Sequence, residues 1–386
     1  MVYIKSIIDK IFILLVLILS AESAFSQDNG SSCFYKHFTG TFDDNMSITV
    51  DLSAQNGKVT GFYYYYFPEP GNETVSYYGK TIPLEGIINA NSIVLHEFSN
   101  EEANFTGEFE GNNKISGIWE KNEKEKPIPF DITEDYSKGS VSFTCFTFSD
   151  IRYAKKDGTA EESDPKAKID IKLLYPELPA GNILKDSIDY KITGFILNKP
   201  ESIESPELLL ENIAFDFFDS YYRATDGIDD ISSSASFNWE KDISVDVFYN
   251  ENDIISLKIN KYAFTGGAHG MLMIEYVVFD TEQKKRLLLK DILKDNFENE
   301  LNSILDKKLR DLNGLKENEN LREAGFFIDE ITSSGNFYIN NDGIGFFYNV
   351  YEIAPYSSGT TELFVKFNEL TGLLKSNHPF NWMIND

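Results

Sequence analysis

The chain has few of the residues that most often carry enzyme chemistry. Among its 386 residues are two cysteines and four histidines. No two histidines have the spacing that places a pair of metal ligands on one helical face. The chain also lacks a Cys-x-x-Cys motif, a Gly-x-Ser-x-Gly nucleophile elbow and a complete Gly-x-x-x-x-Gly-Lys-Ser/Thr phosphate loop. These absences argue against a zinc site and give no sign of a cofactor. The histidines are His37, His96, His269 and His378.

Positive charge is scarce as well. The chain has 35 lysines and arginines against 62 aspartates and glutamates, which gives a formal net charge of −27. Such a charge argues against binding to a nucleic-acid backbone or to an anionic membrane surface. It favours a soluble, self-repelling surface or a cationic partner.

Long apolar runs are confined to the N-terminus. Lys5 and Lys10 precede an unbroken apolar run at residues 11–19, and the small residues Ala24 and Ser26 follow it. This order is typical of a secretory signal peptide, here residues 1–26 with cleavage after Ser26. The run is too short to span a bilayer comfortably. We therefore expect an exported protein, periplasmic or extracellular, with no membrane span in the mature chain.

The two cysteines, Cys33 and Cys145, lie at the two ends of one compositional block. In an oxidising compartment such a pair indicates a disulfide that ties the ends of a domain together. Two unpaired thiols are the alternative.

The composition divides the exported chain into two domains. Residues 33–148 alternate apolar and polar residues between glycine-rich turns, which predicts an antiparallel β meander or a small barrel. Residues 149–168 are polar and predict a linker. Residues 169–386 predict an α+β domain with a mostly antiparallel sheet and two main helices. Apolar residues at helical spacing place these helices at 206–223 and 291–312.

Four consecutive tyrosines, Tyr63 to Tyr66, stand in one predicted strand of the first domain. Successive side chains of a strand point to opposite faces, so two rings lie on each face. We expect one pair in the core. The other pair is either an ordinary surface feature or lines a groove for a protein or a sugar.

The segment 265–270, Thr-Gly-Gly-Ala-His-Gly, separates two predicted strands. A glycine-rich turn can bind an anion, and a histidine can act as a base or a metal ligand. A tight strand connection whose glycines adopt positive φ is the simpler interpretation. The candidate binding residues here are Thr265, Gly266, Gly267 and His269.

A second distinctive segment, residues 349–359, follows a predicted strand and takes an irregular path because of its proline and glycine. It is either a packed corner or a loop that forms one wall of a binding surface with the glycine-rich turn. Its candidate binding residues are Tyr351, Glu352, Pro355 and Tyr356.

Taken together, the segment 261–270, the predicted hairpin 337–348 and the Tyr-Glu-Ile-Ala-Pro-Tyr run at 351–356 resemble an extracytoplasmic domain of bacterial envelope proteins. That domain of unknown function occurs in the RsiV-type lysozyme-sensing anti-sigma factor and beside the deacetylase of PdaC-type peptidoglycan deacetylases. The resemblance covers roughly residues 168–380. The β-rich N-terminal domain looks like an accessory module.

The resemblance implies a non-enzymatic binding or sensing module of the cell envelope. Its partner would be an envelope protein, such as a cationic lysozyme, or a peptidoglycan-type glycan. An anti-sigma role is not expected, because no sigma-binding segment precedes the signal, and the metal motif of the deacetylase is absent. The alternatives are a hydrolase that uses His269 with a carboxylate such as Glu352, or a muramidase inhibitor.

Overall fold

A computed structural model describes residues 33–43, 46–69, 72–98, 103–121, 126–155, 160–228 and 235–379. The predicted signal peptide, residues 1–26, lies outside the described residues. None of the helices in the described part of the chain is both long enough and apolar enough to cross a membrane.

The first domain is a closed antiparallel barrel of eight strands. In the barrel each strand pairs with the next one along the chain, except that β3 pairs with β5 instead of β4, and the pairing of β1 with β9 closes the ring. The short β4 pairs with β3 alone and extends that hairpin. The strands are β1 Phe34–Phe42, β2 Met46–Gln55, β3 Lys58–Glu69, β4 Asn72–Tyr78, β5 Ile82–Asn89, β6 Ser92–Glu97, β7 Asn104–Glu110, β8 Lys114–Glu120 and β9 Ile128–Glu134.

The barrel interior follows the twofold alternation of its strands. Phe38, Leu52, Tyr63 and Phe105 point inward and are buried. A glycine is required where strands approach most closely. A Cβ on Gly86 would lie 1.9 Å from the carbonyl oxygen of Val94 on the neighbouring strand.

The second domain is α+β, as the sequence predicts. Its main sheet has six strands in chain order, all antiparallel to their neighbours except for the parallel pair β11 and β12. These strands are β10 Phe143–Tyr153, β11 Lys166–Pro176, β12 Trp239–Glu251, β13 Ile254–Phe264, β14 Met271–Asp280 and β15 Lys285–Leu287.

Two helices connect β11 to β12 and cover one face of this sheet, α1 (Ile183–Leu197) and α2 (Pro206–Thr225). A second core lies around a three-stranded sheet and a further long helix. The remaining elements are α3 Leu289–Ile292, α4 Glu298–Asn313, β16 Phe337–Ile339, β17 Gly343–Tyr348, β18 Thr361–Lys366 and α5 Phe367–Leu370.

Three details differ from the sequence-based expectations. The predicted linker 149–168 is shorter, because β10 runs to Tyr153 in a full ladder with β11, which begins at Lys166. The prediction of two main helices did not include α1. The predicted helix 291–312 is broken, because Leu293 turns extended and bridges to Leu374 while the amide of Lys294 donates to the carbonyl of residue 373.

The barrel packs against the second domain through the outer faces of β1, β2 and β3. Phe62 and Tyr64 point out of the barrel and join the core that contains Tyr249 and Ile254. Tyr64, one of the two outward-facing tyrosines of the four-residue run, is therefore buried by the second domain. Strand alternation predicts which tyrosines share a face of the strand. The contact with the second domain then buries part of the outer face.

A disulfide joins Cys33 to Cys145, as expected from the sequence. Cys33 precedes the first barrel strand, and Cys145 lies in β10 of the second sheet. The bond therefore ties the start of the barrel to the sheet of the second domain rather than closing the barrel on itself.

Candidate functional site

The glycine-rich turn connects β13 to β14 within one antiparallel hairpin. Gly266 and Gly267 have φ of +92° and +101°, values that cost other residues conformational energy. Gly270 leaves room for a different reason, because a Cβ there would lie 2.3 Å from the hydroxyl oxygen of Tyr262 and would displace that ring. The interpretation of this segment as a strand connection that needs glycine is confirmed.

The corner after β17 is held rigidly by its own polar groups. The carboxylate of Glu352 accepts hydrogen bonds from the backbone amide of Asn349 at 3.0 Å and from its side-chain amide at 3.3 Å. Ile353 and Ala354 are buried in the second core. Tyr351 has a φ of 67° and is 48% exposed. The corner is thus anchored by two apolar residues while its tyrosine remains at the surface.

The turn and the corner meet through their aromatic side chains. The rings of His269 and Tyr356 stack with centroids 4.0 Å apart and an interplanar angle of 22°. The centroid of Tyr351 lies 5.7 Å from that of Tyr356. We call the three residues His269, Tyr351 and Tyr356 the aromatic ridge.

Hydrogen bonds fix the ridge and determine which ring nitrogen of His269 carries the proton. Nδ1 of His269 lies 2.8 Å from the carbonyl oxygen of Gly270, which also accepts a bond of 2.9 Å from the hydroxyl of Tyr356. A carbonyl only accepts, so Nδ1 is the donor. In the neutral ring Nε2 is then an acceptor, 3.4 Å from the hydroxyl of Tyr351.

Two asparagines that the sequence does not single out hold the corner against the main sheet. The side-chain oxygen of Asn349 accepts from the amide of Ile274 at 2.7 Å, and its side-chain nitrogen donates to the carbonyl of Ile274 at 3.0 Å. Asn336 accepts from the amide of Tyr276 at 2.7 Å and donates to the same carbonyl of Ile274. These side-chain bonds join β14 of the main sheet to the two ends of the hairpin β16–β17.

The other predicted site residues take different places. Thr265, Gly266 and Gly267 form the first half of the turn, and Pro355 leads into a 3₁₀ turn at Tyr356–Ser358. Glu352 accepts hydrogen bonds from Asn349, and within the described residues it makes none with His269, the partner that the hydrolase alternative gives it. Within the described ranges, no group of three or more histidines, cysteines, aspartates or glutamates is arranged to hold a metal ion.

Comparison with known families divides the second domain into two matched segments. Residues 162–272 match the family model described as deacetylase PdaC. Residues 290–368 match a family model described as a protein of unknown function, DUF3298. These two matches confirm the resemblance inferred from the sequence. His269 lies in the first matched segment and Tyr351 and Tyr356 in the second, so the ridge forms where the two meet.

The chain shares its fold with a solved structure. The crystal structure of a DUF3298 family member from Bacteroides fragilis is 24% identical, with a TM-score of 0.54, and the match covers 62% of this chain and 96% of that one. A DUF3298 family protein from Pseudomonas aeruginosa PAO1 is 19% identical, with a TM-score of 0.42, over 61% of this chain and 95% of that one. No curated protein matches.

Proposed function

We propose that this protein is an exported, non-enzymatic recognition module of the bacterial cell envelope and that the aromatic ridge is its contact surface. The observation that carries this proposal is the juxtaposition of His269, Tyr351 and Tyr356, which come from two matched segments and are held by hydrogen bonds at the surface. Aromatic rings held in this way provide contact area with little loss of side-chain entropy on binding.

The exposed tyrosine of the ridge supports a binding role. Tyr351 adopts a left-handed conformation that costs a tyrosine about 1 kcal/mol or more. Burial in the core does not account for a large ring at this position, since Tyr351 is nearly half exposed. A contact with a partner is a reason for placing a large ring at such a position.

Two classes of partner agree with the surface and the charge. The net charge of −27 favours encounter with a cationic envelope protein such as a lysozyme. Stacked aromatic rings also suit the apolar faces of a peptidoglycan-type glycan. The deacetylase activity in the name of the matched model is a property of that family. The hydrolase alternative is not favoured here, because the carboxylate of Glu352 accepts a hydrogen bond from Asn349.

The proposal is tested by titrating the protein, without its signal peptide, with hen egg-white lysozyme and separately with soluble peptidoglycan fragments. We expect saturable binding to one of the two, weakened at least tenfold by Tyr351→Asn, a loss of about 1.4 kcal/mol. Asparagine tolerates the left-handed conformation, so the variant removes the ring with little added strain.

The matched control is Phe98→Ala, which removes an exposed aromatic residue of the barrel, 71% accessible, and should leave the affinity unchanged. Lysozyme activity, measured in the same mixtures, distinguishes an inhibitor from a sensor. Equal affinities of the Tyr351 variant and the natural protein would remove the ridge from the proposal. Absence of binding to both probes at low salt would remove the proposed partners.

A further inference from the structure

A separate cavity of about 600 Å³ lies between α1 and the sheet, on the face that the helices cover. This volume is in the range of small-molecule sites. The helix supplies one wall and strands β13 and β14 supply the floor. Its principal lining residues are Tyr190, Lys191, Phe195, Lys261, Met273 and Glu275.

The floor of this cavity carries a lysine without a carboxylate partner. Nζ of Lys261 donates to the carbonyl oxygens of Phe195 at 2.9 Å and Ile196 at 3.4 Å, in the last turn of α1. Within the described part of the chain, no aspartate or glutamate forms an ion pair with it. Burial lowers the pKa of Lys261, because the charged form loses hydration. Among the described residues, these two carbonyls are its hydrogen-bond acceptors, so one of its three N–H groups has none there.

A second lysine adds to this positive charge. Lys241 lies on the adjacent strand, diagonal to Lys261, and its ammonium is 5.3 Å from the ring centroid of Phe217. Burial and then the charge of Lys261 lower the pKa of Lys241. It too forms no ion pair with a described carboxylate, whereas Lys172 on the other face pairs with Asp246.

The remaining walls of the cavity are neutral or apolar. Glu275 is paired with Lys191 at 2.7 Å, so these two charges offset each other. The rings of Tyr190 and Phe195 and the side chain of Met273 offer apolar contact. A partly buried positive charge beside apolar walls, in a protein of net charge −27, selects an organic anion.

We propose that this cavity binds a small ligand that carries a carboxylate next to an aromatic or aliphatic group. The carboxylate accepts a hydrogen bond from the free N–H of Lys261, and the charge of Lys241 adds long-range electrostatic attraction. The apolar group packs against Phe195 and Met273. This site is separate from the aromatic ridge and does not depend on the function proposed for it.

The test uses ¹³C-methyl-methionine NMR of the full exported chain, with phenylacetate as the probe and phenylacetamide as its neutral isostere. We expect a saturable shift of the Met273 methyl resonance with phenylacetate and at least tenfold weaker binding of the amide. Lys261→Met should abolish the preference for the anion. Lys258→Met, on the opposite face of β13 with its ammonium over the ring of Tyr276, should preserve it.

A second variant changes the affinity in the opposite direction. Glu275→Gln removes the carboxylate from the cavity and frees Lys191, so phenylacetate should bind at least about threefold more tightly. This result supports the proposal even if Lys261→Met does not fold. Equal affinities for phenylacetate and its amide would leave only an apolar cavity and overturn the proposal. The absence of a saturable Met273 shift with either compound would also overturn it.

Discussion

Backbone conformation at single residues explains why the aromatic ridge can form. Gly266 and Gly267 turn the chain sharply with positive φ, and this brings His269 to the surface beside the corner. On the other side of the ridge, Tyr351 adopts the same left-handed region at φ 67°. Glycine accepts such angles freely, while tyrosine does not. Of these three positions, therefore, Tyr351 alone has a conformational cost. A role in contacting a partner is a reason for that cost.

The conformational requirement of the turn can be measured by itself. A Cβ on Gly267 would meet no atom within 4 Å, so Gly267→Ala tests the φ of +101° alone. We expect this variant to lose about 1–2 kcal/mol of the free energy of unfolding in urea titrations. Gly335 also has free space around it but does not have a positive φ. Gly335→Ala should change the free energy by no more than about 0.5 kcal/mol, and equal losses in both variants would contradict this explanation.

At the scale of elements, local signals predict some helices and strands better than others. The Ser205–Pro206 pair and the apolar spacing after it identify α2, where Ser205 caps the amide of Leu208. The missed helix α1 buries Leu184, Ile188 and other apolar residues four apart. Its isoleucines are β-branched, and this lowers helix propensity, so tertiary burial rather than local preference decides the element.

The candidate site was only partly predictable for the same reason. Both segments are marked in the sequence by glycine, proline and aromatic residues. Their contact depends on packing between positions 82 residues apart, His269 and Tyr351. The asparagines Asn336 and Asn349 have no local signature, because an asparagine beside a strand is as often a turn residue as a bridge between sheets.

The asparagine bridge gives a prediction for the hairpin as a unit. Asn349→Ala leaves the amide and carbonyl of Ile274 without this partner and removes a support of Glu352. We expect a loss of about 2–3 kcal/mol of stability and faster hydrogen exchange at the amide of Ile274. Asn368→Ala, at an exposed asparagine, is the control. Unchanged exchange at Ile274 in the first variant would show that the bridge does not hold β14.

At the scale of the whole molecule, the two domains share a buried polar network. His37 on β1 is fully buried, with Nδ1 3.0 Å from the carboxylate of Asp51 on β2. Tyr35 donates to the same carboxylate and accepts from the side chain of Asn250 at 3.0 Å. Tyr64 donates to Glu251 nearby. The network therefore joins three barrel strands to β12 of the second domain, so we expect its protonation to change the stability of the folded protein.

The pKa of His37 determines the sign of this effect. Burial alone lowers the pKa, but the charge of Asp51 and its hydrogen bond, followed by Glu251 and Asp135, raise it above the ordinary value overall. The folded protein thus holds this proton more tightly than the unfolded chain. The resulting stabilisation is complete below the unfolded pKa of about 6.5 and is lost as the pH rises through the folded pKa.

Comparison of His37→Gln with the natural protein isolates this contribution. We expect the free energy of unfolding of the natural protein to fall, relative to that of the variant, as the pH rises from 6 to 9. The measurement is urea denaturation at several pH values, with the difference between the two proteins plotted against pH. His96→Gln, at an exposed barrel histidine that contacts Asn104, should show no such difference. If the curves of His37→Gln and the natural protein ran parallel, the pKa of His37 would be the same in the folded and the unfolded protein, and the network would join the domains without depending on pH.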